Sequence, residues 1–104
     1  MWTRRKNMKV MISQPMKGKT NEQIKKEREA LVKEIEAMGD TVLDTVFDEA
    51  PENTDQAVWY LSQSIKFLAD ADRVVFMPGW NKARGCKIEH EIAVEYGKEV
   101  VYCN

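Results

Sequence analysis

Glu89 is the residue of this sequence whose position most plainly suggests chemistry, because the spacing of its neighbours turns a carboxylate inward. The run from about Ala83 to Tyr96 carries apolar residues at helical intervals. At about 100° per residue, with Ile88 set at zero, Ile92 falls near 40°, Tyr96 near 80° and Ala93 near 140°. On the same rough count Glu89 falls near 100°, inside the apolar arc, whereas Glu91 and Glu95 fall near 300° and 340° and stay in water. A lone charge on a buried sector costs on the order of several kcal/mol unless something satisfies it, so a sequence that keeps one there usually uses it. The first turns of a helix relieve part of that cost, since unpaired N–H groups and the macrodipole favour an anion. The alternative is a rim carboxylate just off the core, paired with Lys87 or Arg84.

Other reactive side chains offer less. His90, the single histidine, falls at roughly 200° on the same count, off the apolar arc, and reads as a surface residue. Cys86 sits near a helix N-terminus without an assigned base and reads as a small packed residue. Cys86 and Cys103 lack partners at metal-ligand spacing, so the sequence calls for no metal, and two cysteines make no disulfide framework. Asp70 and Asp72 flank the entry to a strand at its amino end, far from any crevice, and read as helix-terminating, solvent-exposed groups.

The elements that must position Glu89 follow from periodicity. Lys9–Ser13 is a short apolar strand halted by Pro15 and Gly18. Thr20 and Gln23 have capping-box spacing, and Ile24, Leu31, Ile35 and Met38 continue a helix over roughly residues 21 to 38, ended by Gly39. Thr41–Phe47 is rich in β-branched residues and predicts a second strand. Asp48–Asp55 is the longest loop, placed as an insertion point or lid. Val58, Leu61, Ile65 and Leu68 stripe a second helix, and Val74–Met77 is a continuous apolar run suited to a central strand covered on both faces. After Pro78 and Gly79 come the third helix and a last strand, Glu99–Tyr102.

The order βαβαβαβ demands parallel strands joined by right-handed crossovers, a small three-layer α/β fold of the flavodoxin or Rossmann kind with sheet order 2-1-3-4 and helices on both faces. Its crevice opens at the carboxyl ends, where the loops Ser13–Gly18, Pro78–Asn81 and the helix start at Gly85 should meet.

The chain has 104 residues, enough for one core, read as a flexible tail over residues 1–7 and a single domain over 8–104. Hydrophobic residues are 43% and charged residues 32%, a globular balance without a membrane-spanning run. Sixteen Lys and Arg oppose seventeen Asp and Glu, which disfavours a nucleic-acid polymer as partner. The basic start Trp2–Lys6 lacks an apolar segment behind it and reads as no secretory signal, and the two cysteines, too few for a disulfide framework, make a reducing cytoplasm the expected location.

Ile12-Ser13-Gln14-Pro15-Met16, Ala69-Asp70-Ala71-Asp72, Pro78-Gly79-Trp80 and Arg84-Gly85-Cys86-Lys87-Ile88-Glu89-His90-Glu91 together resemble the nucleoside 2-deoxyribosyltransferase superfamily. The similarity runs from Lys9 onward and is nearest to a small phage and prophage family of unknown function. The resemblance implies that Glu89, four residues after Gly85, is the nucleophilic carboxylate that displaces a base at the anomeric carbon of a deoxyribose, with no cofactor. It implies a nucleoside or nucleotide as ligand and a homodimer or higher homo-oligomer as assembly. Where active members carry a Tyr on the first strand and an Asp on the second helix, this chain has Met11 and Ser64, and Gln14 replaces a glycine. Carried over residue by residue, the ligand-binding set is Ser13, Gln14, Met16, Lys17, Gly18, Ser64, Gly79, Trp80, Asn81 and Gly85. Lys17-Gly18-Lys19 either cradles a phosphate or simply turns the chain. Trp80 either stacks on a base or caps the sheet, and Asn81 is placed to read a base edge. Two non-enzymatic functions remain beside the N-glycosidase or deoxyribosyltransferase reading: a nucleotide-binding or sensing module, and an interaction protein using Trp59, Tyr60 and Trp80.

Overall fold

The sheet is built around two strands whose sequences have no polar face. In β1 (Lys9–Ser13) every residue after Lys9 is buried, and in β3 (Arg73–Phe76) Val74, Val75 and Phe76 are buried, the pattern of strands covered on both sides. The computed structural model describes residues 7–103, and in it these strands take the middle of an all-parallel sheet ordered β2-β1-β3-β4, with β2 (Thr41–Val42) and β4 (Glu99–Tyr102) at its edges. Three helices, α1 (Asn21–Ala37), α2 (Gln56–Asp70) and α3 (Arg84–Glu95), make the crossovers. This is the α/β fold and strand order that the element pattern predicts. The expected tail, apart from Asn7, lies outside the described residues.

Alternation along β1 sorts the two cores. Val10 and Ile12 face α1, where Leu31, Val32 and Ile35 pack with Val75. Met11 faces the other side, where Leu68 of α2 and Ala93 of α3 close over Val74 and Phe76. By the same period of two, Ser13 projects toward α2 and α3 and Gln14 toward α1. The last two residues of that strand end therefore deliver one polar side chain to each layer.

Local signals hold the helices in place. Thr20 and Gln23 form the expected capping box at α1, and the helix ends at Met38 and Gly39, which has φ +88°. Asp55 caps α2 by accepting from the Val58 N–H. Asp72 is not simply solvent-exposed as expected, because its carboxylate accepts the Lys9 N–H at 2.8 Å and pins the start of β1.

The second strand is shorter than Thr41–Phe47. Ladder pairing with β1 covers Thr41 and Val42, and the Leu43 N–H still reaches the Val10 carbonyl at 2.9 Å. The chain then turns: the Asp44 side chain accepts the Val46 N–H at 3.0 Å, a local turn that competes with the ladder, and Thr45 is drawn inward to Arg28. Beyond it Phe47 packs on Phe67 of α2 at 5.6 Å, and the Tyr60 hydroxyl accepts the Ala50 N–H at 3.0 Å. Residues 43–50 thus fold back over α2 instead of extending the sheet edge.

Gly79 ends the segment after β3 at φ +86°, and a Cβ there would meet the Pro15 ring at 3.5 Å. Gly79→Ala is expected to cost about 1–2 kcal/mol through left-handed strain, without altering the fold. Chemical denaturation of the two proteins measures the loss.

Candidate functional site

At the carboxyl ends of β1 and β3 the structure collects a buried polar group. Glu89, in the second turn of α3, is only 6% exposed and points inward. Its Oε1 accepts the Ser13 hydroxyl at 2.7 Å, and the Ser64 hydroxyl of α2 lies close enough to the same carboxyl to favour its charged form. The rim alternative, a pairing with Lys87 or Arg84, does not occur. Burial pushes the Glu89 carboxyl above the ordinary carboxylate range; the two hydroxyls and the charge of Arg28 pull the other way and do not overcome it.

The helical arc differs in detail from the one expected. Cys86, Glu89 and Ala93 are the buried residues of α3, while Ile88 and Tyr96 are exposed, Tyr96 at 78%. Glu89 therefore stands on the buried face. Cys86, one turn before it, is also buried; desolvation first, then the Glu89 charge, drive its thiol up to about 11 against the opposing Ser13 hydrogen bond. It is a neutral packed thiol, not a nucleophile.

A second polar group lies on the α1 side of the same strand end. Gln14 is buried, and its amide donates to the Ile24 carbonyl at 3.1 Å and to Glu27 at 3.0 Å. Its Oε1 accepts from Arg28 Nε at 2.8 Å. Arg28, 4% exposed on α1, also reaches the Thr45 hydroxyl at 3.3 Å through a terminal nitrogen.

Two clefts border this second group. One of about 250 Å³ lies among Gln14, Pro15, Lys19, Glu27, Met77 and Pro78, where the loop after β1 meets the loop after β3; the helix start at Gly85, expected at the same crevice, does not line it. The other, about 400 Å³, runs between α1 and the exit of β2, with Arg28, Val42, Asp44 and Val46 along it. Glu89 lines neither.

A family model described as a domain of unknown function, DUF4406, matches residues 8–102. The chain belongs to the DUF4406 family. No curated protein matches it.

Of the ligand-binding set expected for this DUF4406 chain, Ser13 and Ser64 are brought together with Glu89. Gln14 is close by in sequence, but both ends of its amide are taken up internally. Met16 is half-buried, and its carbonyl accepts the Lys19 N–H at 3.1 Å in a turn that Gly18 completes at φ +78°. Lys17 is exposed, and Lys19 pairs with Glu27 at 2.9 Å. Gly79 and Asn81 are exposed, and Gly85 lies 3.9 Å from Leu61 where a Cβ would stand.

Trp80 is half-buried. Its ring stacks on His90 at 4.3 Å and lies 5.5 Å from Tyr102 and 5.3 Å from Phe76. His90 is correspondingly not a bare surface residue: it is half-buried, and its Nε2 is 2.6 Å from the Tyr102 hydroxyl. Trp59 and Tyr60 pack edge to face at 5.0 Å, and Tyr60 holds Ala50. Among the described residues no helix is long and apolar enough to cross a membrane, and no group of three His, Cys, Asp or Glu is placed to hold a metal ion.

Sequence reasoning missed Arg28 and Thr45. The signal for Arg28 was present, because it continues the α1 stripe at Ile24, Leu31 and Ile35, a charge on an apolar face found by the same count that picks out Glu89.

The raised Glu89 carboxyl has a consequence for stability. Above the carboxyl's ordinary value of 4.5 the unfolded chain releases a proton that the folded protein retains, so wild type loses stability as pH rises through the folded-state value. Glu89→Gln, which keeps the shape and an acceptor for Ser13, is expected to be the more stable protein at neutral pH. The gain amounts to about 1.4 kcal/mol per unit of upward shift and fades as pH falls toward that ordinary value. Thermal melts of both proteins across pH 4 to 8 measure it.

Proposed function

We propose that this DUF4406 chain is an N-glycosidase or 2-deoxyribosyltransferase of the nucleoside deoxyribosyltransferase-like superfamily, acting on a deoxynucleoside or deoxynucleotide with Glu89 as nucleophile. The observation that carries the reading is the inward carboxylate of Glu89, held by Ser13 from β1 beside Ser64 of α2 at the carboxyl end of a parallel sheet. That is where ligands bind in open α/β sheets.

In this mechanism a Glu89 oxygen attacks the anomeric carbon as the bond to the base nitrogen breaks, and the base departs with the bonding pair and takes up a proton. A C1–O bond to Glu89 replaces the C1–N bond. Water or a second base then attacks the same carbon, and the Glu89 carboxylate leaves with its electrons restored. A carboxylate suits both steps, since it stabilises oxocarbenium character and is a competent leaving group. Ser13 and Ser64 orient it. Ser64 stands where active relatives are expected to carry Asp, and it supplies a neutral hydroxyl there, which adds no second negative charge to an already desolvated site.

A second reading, a nucleotide-binding or sensing module without turnover, is favoured by one specific observation: the clefts are lined by Gln14 and Arg28 and not by Glu89. Met11, in place of the Tyr of active members, is part of the core and offers no hydroxyl.

Chromatography of the protein incubated with a panel of deoxynucleosides and deoxynucleotides separates the two. The enzyme reading expects free base from at least one substrate, with release reduced at least about a thousandfold in Glu89→Gln. It expects an acid limb in the rate above the ordinary carboxylate range, because the nucleophile must be ionised and burial raises its pKa. No base from any substrate, or equal release by the variant, retires the enzyme; a melting temperature raised by one of the panel without turnover then supports the binding module.

A further inference from the structure

Arg28 is 4% exposed on α1, and its hydrogen-bonding capacity is not used up. Nε donates to the neutral Gln14 amide at 2.8 Å, and one terminal nitrogen reaches the neutral Thr45 hydroxyl at 3.3 Å, long for such a bond. The other terminal nitrogen, Nη2, is buried with no hydrogen-bond partner. Asp44, the acidic group whose charge most favours that of Arg28, is exposed and screened by water. A cation kept dry with a donor to spare is costly, and such a group calls for an explanation. The surroundings supply one, because Arg28 forms part of the wall of the larger cleft, about 400 Å³, between α1 and the chain leaving β2. Half-buried Val32, Val42 and Val46 give that cleft an apolar lining.

We propose that this cleft binds a small organic monocarboxylate, with the carboxylate on the Arg28 guanidinium and a short hydrocarbon body against the three valines. A spare N–H on a desolvated cation is best met by an anionic acceptor, since charge-assisted bonds are the stronger ones. One negative charge fits better than two. Lys25 and Lys33 stand at the opening against Glu29, Glu36 and Asp44, and Lys33 is already paired with Glu29 at 3.2 Å, so the rim repels a phosphate dianion. The valine lining favours hydrocarbon over a sugar. Nη2 is covered by its neighbours, so a ligand oxygen reaches it through a small rotation of the guanidinium that gives up the long Thr45 contact while Nε stays on Gln14. The cleft lies on the α1 side of β1 and Glu89 on the α2 and α3 side, so the inference stands apart from the role of that carboxylate. A nucleotide, on the second reading above, is left the smaller cleft beside Gln14 and Lys19.

An NMR titration of the full chain tests this, using isovalerate and hexanoate as carboxylates, isovaleramide as the uncharged counterpart and inorganic phosphate as the competing anion. The signals read are the backbone N–H groups of Val42, Asp44 and Val46 and the Nε–H of Arg28. At least one carboxylate is expected to shift them saturably, with a Kd on the order of a millimolar for so small a ligand. Isovaleramide, and the same carboxylate with Arg28→Gln, are each expected to bind at least about tenfold more weakly through loss of a charge-assisted bond, and phosphate more weakly than the carboxylate. No saturable shift with either carboxylate, equal binding of the amide or of the carboxylate by Arg28→Gln, or tighter binding of phosphate overturns the proposal. If Arg28→Gln does not fold, Val46→Phe decides it, because it fills the lining and leaves the guanidinium in place. That variant should lose the shifts, and undiminished binding by it overturns the proposal.

Discussion

A carboxylate taken out of water has to be met by hydrogen-bond donors, and much of the arrangement at the carboxyl end of this sheet follows from meeting that need for Glu89. Ser13 must end β1 on the α2 and α3 side, so the strand register is fixed by a polar residue as well as by the apolar ones behind it. α2 must bring Ser64 to the same point, which it does one turn before Leu68 locks it into the core. The hydroxyls orient the carboxylate but do not cancel its desolvation, so the group remains destabilised in its charged form. A folded protein that retains such a group gives up stability at a place where reactivity is useful.

The opposite layer shows the same logic in a cation. Gln14 fills its hydrogen-bonding capacity with Arg28, Glu27 and the α1 backbone, and Arg28 in turn draws Thr45 inward. That pull explains why the second strand stops at Val42: the residues that read as its continuation serve the buried guanidinium and then cross to α2 through Phe47 and Ala50. The cap of Trp80, His90 and Tyr102 closes the far side over Phe76. Two clefts lie against Gln14 and Arg28, and Glu89 lines neither of them.

Apolar runs made the fold legible in the sequence, since Val10–Ile12 and Val74–Phe76 suit strands, the second of a kind covered on both faces, and the capping box at Thr20 marks the start of α1. The inward carboxylate was legible from angle alone, even though Ile88 and Tyr96, two of the residues that defined its arc, turn out to be exposed; Cys86 and Ala93 bury the same sector. What was not legible depended on contacts distant in the chain. Thr41–Phe47 has the composition of a strand, and the Asp44–Val46 turn together with Arg28, many residues earlier, takes Thr45 off the ladder. His90 reads as a surface residue on its own helix because Trp80 and Tyr102 come from other elements. Gln14 reads as a ligand group, and its partners on α1 come from a different element.

The account turns on Glu89 acting as the atom that bonds to a sugar, and intact-protein mass spectrometry tests this most directly. A nucleoside carrying fluorine at C2 of its sugar slows breakdown of a glycosyl–enzyme and lets the intermediate accumulate. The expected result is a mass increase of one fluorinated sugar, mapped by peptide fragmentation to Glu89 and absent from Glu89→Gln. An adduct on another residue, or release of base from the analogue with no adduct at any time, contradicts the account.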